Sequence, residues 1–407
     1  MPDPRRHIGV VTSARSDFGL LAPLMRAIRD DADLTLSVLA TGMHFSRRHG
    51  YTVDEIRKTH FADELIEVPS AGADDSPGAV AATMARGIAG FAEVFQQGTP
   101  DLLVIMGDRF DALPAALAAL PFNLPVAHIS GGDVTVGAID DSVRHALTKL
   151  SHLHFPAHQT SARRIIQMGE EPWRVTTVGE PGLDALRDFP FQDRETVFGG
   201  LGLDVDRPVS VFTYHPETLD PEGRKAAITA ILAAADGIDS QIVFTYPNTD
   251  TGSAAIIDAI EAYCRRRSDC QVHASLGRDR YLNLLHNADC MVGNSSSGIV
   301  EAPSFELPVV NIGDRQRGRI TPANILNVST DTQAVARAWE KALDQAFRRK
   351  LSGLTNPYGD GHAVERILGR LKTVDLDRRL VAKAFHDLAG AEDLGAALSR
   401  PDGPFDG

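Results

Sequence analysis

Residues 128–145 read HISGGDVTVGAIDDSVRH, a stretch that follows an apolar run. It holds two adjacent glycines, the carboxylates Asp133, Asp140 and Asp141, the cation Arg144 and two histidines. Carboxylates gathered after a buried strand can divide acid and base roles. Arg144 lies one helical turn after Asp140 and Asp141 and can pair with either, holding it ionised. The plainer alternative is a capped helix with an i,i+4 ion pair, and the density of polar groups favours chemistry. Upstream, MGDRFD places Asp108 and Arg109 at the end of another apolar run. Asp108 is placed for acid/base work, against the alternative of a helix cap beside a surface arginine.

Three further clusters suit an anionic ligand. TSARSDFGL feeds a first strand into a helix whose N-terminus can receive a phosphate, with Arg15 as a bidentate clamp. His215, in TYHPET, sits at a strand tip, where it can donate to a pyrophosphate, act as an acid, or serve only its own loop. The next strand runs into YPNTD, with Asn248 a candidate contact to substrate. GNSSSG brings Ser295 and Ser296 to a helix start, a phosphate cradle, and Glu301 follows about one turn later, within reach of ribose hydroxyls. Arg315, Arg317 and Arg319 follow the next strand, at least one of them a phosphate partner. His152 and His154 alternate on a short strand; without a partnering cluster they read as structural rather than as a metal pair. No Gly-x-Gly-x-x-Gly follows the first strand, which argues against a nicotinamide or flavin enzyme. No metal site and no cofactor is expected.

These residues need strands to carry them. Apolar runs at 8–11, 34–39, 102–106 and 126–129, with shorter candidates at 153–155 and 175–178, alternate with helical patterns such as 20–29 and 84–97. The alternation restarts with strands at 209–213, 241–245, 272–274, 290–293 and 309–312 and helices at 223–234, 254–267 and 280–287. Helices are then expected at 332–349 and 362–371, and one more amphipathic helix over 373–390. The expected architecture is α/β, with two Rossmann-like domains facing a cleft. The first spans 1–186 and carries the carboxylates. Residues 187–208, rich in Pro, Gly and charge, form the linker. The second domain spans 209–357, C-terminal helices fill 358–390, and 391–407 reads as a disordered tail.

The 407-residue chain carries a net charge of −13 and no dense basic run, so nucleic acid is a disfavoured partner. Three cysteines without a Cys-x-x-Cys pair fit a reducing compartment. The longest apolar tract, 113–129, is broken by Pro114, Pro121 and Pro125 and is no membrane span. The cytoplasm is the expected location.

In order, TSARSDFGLLAP, TGMH, GDRFDAL, HISGGDVTVGAIDDSVRHALTKLSHLHF, YHPET, GNSSSGIVEAPSFELPVVNIGDRQRGR and NPYGDG resemble the UDP-N-acetylglucosamine 2-epimerase family. The likeness is closer to its hydrolysing branch, which serves the sialic and legionaminic acid pathways. It implies a glycosyltransferase-B-like fold with a C-terminal helix packing back on the first domain. It also implies a UDP-sugar substrate and a homo-oligomer, dimer or tetramer. The implied reaction removes the C2 proton as UDP leaves C1. Water then adds to the glycal, releasing the free 2-epimer. Carried across, Arg15 and Arg109 fall on nucleotide-contacting positions. Asp108, Asp140 and Arg144 fall on the catalytic centre, and His215 on the second domain's active-site histidine. Ser295, Ser296, Glu301 and Arg315 fall on the UDP site.

One departure stands out. Many members read His-Ile-Glu-Gly-Gly, where this chain has Ser130. Either Asp133 takes that carboxylate's role, or the substrate and step order differ. The Ser130-type loop also resembles relatives acting on 2,4-diacetamido-6-deoxy sugars, so the expected substrate is UDP-GlcNAc or UDP-2,4-diacetamido-2,4,6-trideoxyglucose. A non-hydrolysing epimerase, a glycosyltransferase of the same architecture and an inactive nucleotide-sugar sensor are the alternatives.

Overall fold

Short runs rich in Val, Ile and Leu form strands buried on both faces, as a parallel sheet flanked by helices requires. The computed structural model describes residues 5–47, 51–59, 62–72, 76–134, 139–216, 223–247 and 253–388. It divides into two units, one of residues 1–133, 138–185 and 359–407, the other of residues 134–137 and 186–358.

In the first unit the strands are β1 (Arg6–Thr12), β2 (Leu34–Thr41), β3 (Glu64–Val68), β4 (Leu102–Met106), β5 (Val126–Ile129) and β6 (Leu153–Phe155). They lie parallel in the order β3-β2-β1-β4-β5-β6. The connecting helices are α1 (Arg15–Asp30), α2 (Val53–Thr59), α3 (Pro77–Gln97), α4 (Leu113–Ala119), α5 (Ile139–Leu150) and α6 (Gln159–Gln167). Alternate residues of β1 and β4 serve opposite faces, as strand pleating demands. Ile8, Val10, Leu102 and Val104 join Leu21, Leu24 and Ile28 of α1 in one core. Val11, Leu103 and Ile105 join Phe91 and Phe95 of α3 in the other.

Between the sheets' sequences lie α7 (Asp184–Arg187) and α8 (Arg194–Leu201). The second unit's strands are β7 (Val209–Thr213), β8 (Gln241–Thr245), β9 (Cys270–His273), β10 (Cys290–Gly293), β11 (Val309–Ile312) and β12 (Ile325–Val328). Their order is β12-β11-β10-β7-β8-β9, again parallel. Its helices are α9 (Gly223–Ala235), α10 (Ser253–Arg266), α11 (Arg278–Asn287), α12 (Ser296–Val300), α13 (Thr332–Leu343) and α14 (Gln345–Arg349). Trp339 of α13 is fully buried against Phe212 and donates to Ser210 Oγ at 2.9 Å.

The chain then returns to the first unit through α15 (Ala363–Thr373), whose Ile367 and Leu371 enter the α1 core. Asp184 accepts from the first amides of α15, Ala363 N at 2.9 Å and Val364 N at 2.7 Å, capping the helix from outside. This is the returning C-terminal helix that the family resemblance implied.

Several expectations need correction. Strands β3 and β12 were not foreseen; both are edge strands with exposed or half-buried residues, so they lack an unbroken apolar run. Residues 175–178 make a single bridge, His154 to Val175, rather than a strand. The helix expected over 332–349 breaks at Asp344, whose carboxylate accepts from Ala346 N at 2.8 Å and starts α14 anew. Over 373–390 the described residues show only the single turn α16 (Arg378–Val381). There the backbone is consumed by side chains instead, with Arg174 donating to Leu380 O and Arg379 O, each at 2.8 Å. The expected tail at 391–407 lies outside the described residues.

Candidate active site

In each sheet the connections leave in opposite directions from two adjacent central strands, β1 and β4 in the first, β7 and β10 in the second. That topological switch opens a crevice at the strands' carboxyl ends. The described candidate residues lie on the segments that follow these strands and their neighbours.

In the first unit, the turn after β1 is organised by Asp17. Its carboxylate accepts from Thr12 Oγ1 (2.9 Å), Ser13 N (2.8 Å), Ser13 Oγ (2.9 Å) and Ala14 N (2.9 Å). The cap is an aspartate reaching back from inside α1. Arg15 stays exposed and pairs loosely with Glu55 at 3.4 Å. Across the switch point, Arg109 grips Asp111 with two bonds of 3.0 Å and donates to Ser13 Oγ at 3.2 Å, which joins the β1 and β4 turns.

Asp108 pairs with Arg144. Arg144 is nearly buried, 4% exposed, while Asp108 is 27% exposed and keeps a wet edge. Asp141 lies 3.7 Å from Arg144 in the weaker i,i+3 relation. Thus the arginine read as a partner for its own helix serves chiefly the neighbouring loop. Burial, and next the charge of Asp108, raise Asp140 above the ordinary aspartate range; Arg144 and Arg109 oppose the rise. A carboxyl that holds its proton more tightly, beside an ion-paired one, is a setting in which acid and base roles can separate.

The loop after β5 is tightly built. Gly132 has φ +79, and a Cβ there would stand 2.3 Å from Ser161 O, so no larger residue fits. His128, fully buried, uses Nε2 against Gly107 O at 2.7 Å; burial lowers it to about 3, so it stays neutral at pH 7. Asp133 contacts His158 Nε2 at 3.0 Å and accepts from Ser161 Oγ, which anchors the loop to α6. Ser130 takes the left-handed conformation, φ +59, and donates through Oγ to Glu180 Oε2 at 3.2 Å. The sequence reading did not single out Asp17, Asp111 or Glu180. Asp17 bonds residues 12–14 of its own turn and Asp111 bonds Arg109 two residues before it, whereas Glu180 meets Ser130 from another loop, which no local spacing announces.

His152 and His154 behave as structural groups. His152 Nδ1 accepts from Val126 N at 3.1 Å, and His154 Nε2 meets Glu170 at 2.9 Å. Lys149 (2.6 Å) and Lys383 (2.8 Å) also pair with this fully buried glutamate. Among the described residues, no group of three or more His, Cys, Asp or Glu could hold a metal ion. No described helix is long and apolar enough to cross a membrane.

In the second unit, Gly293 lets β10 approach β7 closely: its φ is +131, and a Cβ there would lie 1.9 Å from Thr213 O. Asn294 then clasps His215, accepting from its N–H at 2.6 Å and donating to its carbonyl at 2.9 Å. Asn294 O receives Arg315 Nη1 at 3.1 Å and Gln316 Nε2 at 2.8 Å. Burial, helped by the Arg315 charge, lowers His215 to about 4, leaving it neutral near pH 7. Ser295 caps α12 by accepting from Ser297 N at 3.3 Å, and Ser296 is exposed. Burial raises Glu301 above the ordinary range, against the pull of Arg278 and Arg319. The Arg317 guanidinium lies 4.0 Å from the Asp314 carboxylate. Hence Asn294, not singled out from the sequence, ties His215 to Arg315 and Gln316. Asn248 lies outside the described residues.

The family model for UDP-N-acetylglucosamine 2-epimerase matches residues 26–372. The UDP-N,N'-diacetylbacillosamine 2-epimerase (hydrolyzing) of Legionella pneumophila is 37% identical over 379 residues, 93% of this chain and 98% of that one. The GDP/UDP-N,N'-diacetylbacillosamine 2-epimerase (hydrolyzing) of Campylobacter jejuni is 34% identical over 387 residues, 94% of this chain and all of that one. A crystal structure of UDP-GlcNAc 2-epimerase from Neisseria meningitidis, bound to UDP-GlcNAc, shares the fold with TM-score 0.75 at 19% identity, covering 90% of this chain and 100% of that one. The architecture is therefore the glycosyltransferase-B-like α/β fold, and the chain belongs to the UDP-N-acetylglucosamine 2-epimerase family, within its hydrolysing branch.

Proposed function

We propose that this enzyme converts UDP-2,4-diacetamido-2,4,6-trideoxyglucose (UDP-N,N'-diacetylbacillosamine) and water to UDP and the free 2-epimer, for nonulosonic and specifically legionaminic acid synthesis. The observation that carries the chemistry is the arrangement of Asp108, Asp140 and Arg144 at the first switch point. Removing a proton from C2 needs a positioned carboxylate, and Asp108 and Asp140 are its candidates. In the second unit, the amides and hydroxyls at the start of α12 together with Arg315 suit the diphosphate leaving group. His215, neutral at pH 7, can donate there without adding a buried charge. Glu301 suits ribose hydroxyls, and Arg15 and Arg109 are proposed nucleotide contacts.

The names of the Legionella and Campylobacter relatives support the diacetamido sugar over UDP-GlcNAc. The reading is tested by incubating the enzyme with both sugars in deuterated water. UDP, a free 2-epimer and deuterium at C2 are expected, with the diacetamido sugar favoured in kcat/KM. An intact UDP-linked epimer without net UDP release would instead identify a non-hydrolysing enzyme. UDP release that needs an acceptor and leaves C2 unexchanged would identify a transferase. A cytoplasmic homo-oligomer completes the proposal, with a dimer or tetramer expected in light scattering.

A further inference from the structure

Ser130 occupies a place where a carboxylate would serve, yet its hydroxyl is not isolated. It donates to Glu180 Oε2 at 3.2 Å, from a residue fifty positions away. Both backbones are fixed at the same edge of the first sheet. Ser130 N donates to Phe155 O at 3.0 Å, so it prolongs β5 along the end of β6. The segment leading to Glu180 runs along the other side of β6, with Thr176 N on His154 O at 2.9 Å and Val178 N on Pro156 O at 3.0 Å. Glu180 is then held by a tight turn: Leu183 N donates to its carbonyl at 2.9 Å, and Pro181 follows it directly. Gly107 N donates to Ile129 O at 3.0 Å, which sets the Gly107–Asp108 turn next to Ser130. A half-buried carboxylate is thereby delivered, one hydroxyl removed, to the strand end beside Asp108.

We propose that Glu180 is a positioning residue acting through the Ser130 hydroxyl, and that the pair accepts the proton of the water that hydrates the glycal. This rests on the hydrolysing reading above. Elimination transfers the C2 proton to a carboxylate as the C1–O bond to UDP breaks. In hydration, the water oxygen bonds to C1, and the C1=C2 electron pair takes a proton at C2 on the opposite face from a second, protonated carboxyl, so that C2 inverts. The first carboxyl then gives its proton to solvent and the second regains one, which leaves the pair as it began. The water's surplus proton passes to Ser130 Oγ while Ser130's own proton passes to Glu180. Glu180 then releases it to solvent, which accounts for the one proton that hydrolysis liberates. Re-addition of UDP would need no such acceptor, so the Ser130–Glu180 pair belongs to the water half-reaction alone.

The test separates the two halves by following UDP release, free sugar and the vinylic proton of the glycal by NMR. Glu180→Gln and Ser130→Ala are each expected to keep a first-turnover UDP release near wild type. Hydration of the glycal, supplied directly with UDP, is expected to slow by about a hundredfold or more, so that glycal accumulates. Glu180→Asp is expected to recover part of that rate. UDP release and sugar formation falling together in both variants would mean a merely structural role and overturn the proposal. Glu180→Gln forming sugar at the wild-type rate would overturn it too. A wild-type enzyme that releases no UDP from either sugar overturns the hydrolysing reading itself, a result distinct from these.

Discussion

Arg144 does more for the site than charge balance. Its guanidinium is buried, pairs with Asp108 from the adjoining loop and lies 3.7 Å from Asp141 on its own helix. A planar fork can hold a carboxylate in one orientation, whereas an ammonium is a point charge. Arg144→Lys should therefore keep the charge and lose the aim of Asp108. A displacement of about 1 Å can cost a hundredfold in rate, so kcat is expected to fall by about that factor with KM changed little. A kcat within about threefold of wild type would show that orientation by Arg144 does not matter. The sequence showed Arg144 one turn from Asp140 and Asp141, and the i,i+3 contact to Asp141 exists. It did not show Asp108 as the main partner, because strand order, not spacing, makes β4 and β5 neighbours. Ser130 was legible as a departure, but its link to Glu180 was not, for the same reason.

At the level of elements, β5, β6 and the segments around them gather buried titratable groups. His128 is lowered to about 3 and His152 to about 4 by burial, and burial lowers His154 also. Glu170 is held down to about 2 by His154, Lys149 and Lys383 despite its burial. The signs agree. An unfolded histidine takes a proton near its ordinary 6.5 while these folded ones refuse it, so stability drains as pH falls from 6.5 toward 4 and 3. The Glu170 contribution is complete above its ordinary 4.5 and is lost as pH falls from there through about 2. The melting temperature should thus drop steadily below pH 6.5 and more steeply below 4.5. Scanning fluorimetry from pH 7.5 to 4 measures this, and His152→Gln should flatten the upper part of the curve. A melting temperature constant between pH 7 and 5 would contradict it. The C-terminal segment shares in this network through Lys383, which also donates to Lys149 O and Ser151 O. Its amphipathic pattern suggested a helix, yet among residues 374–388 only Val374 and Leu380 are buried, too few to hold a helical face on the core. The central strands were readable because they are apolar throughout. The edge strands β3 and β12 were not, since each buries only one residue fully.

For the whole molecule, two sheets of the same connectivity each offer one switch point, but with opposite chemistry. The first gathers Asp17, Asp108, Asp111 and Asp140 with two arginines. The second gathers hydroxyls, a neutral histidine, Asn294 and Arg315 around a helix start. On the proposed function, an enzyme that breaks a C–H bond and releases a diphosphate needs both kinds of group, the first for proton transfer and the second for the leaving anion. The division predicts separable losses. Asp108→Asn should abolish turnover while UDP affinity, read by calorimetry, stays within about threefold. Glu301→Gln should do the reverse. A hydrogen bond to a charged group is worth about 1.5–3 kcal/mol, so its loss should weaken UDP by about tenfold or more. Substrate that does bind to the Glu301 variant should still exchange its C2 hydrogen at saturation. If Asp108→Asn loses UDP binding as completely as turnover, Asp108 serves nucleotide recognition and not proton chemistry alone.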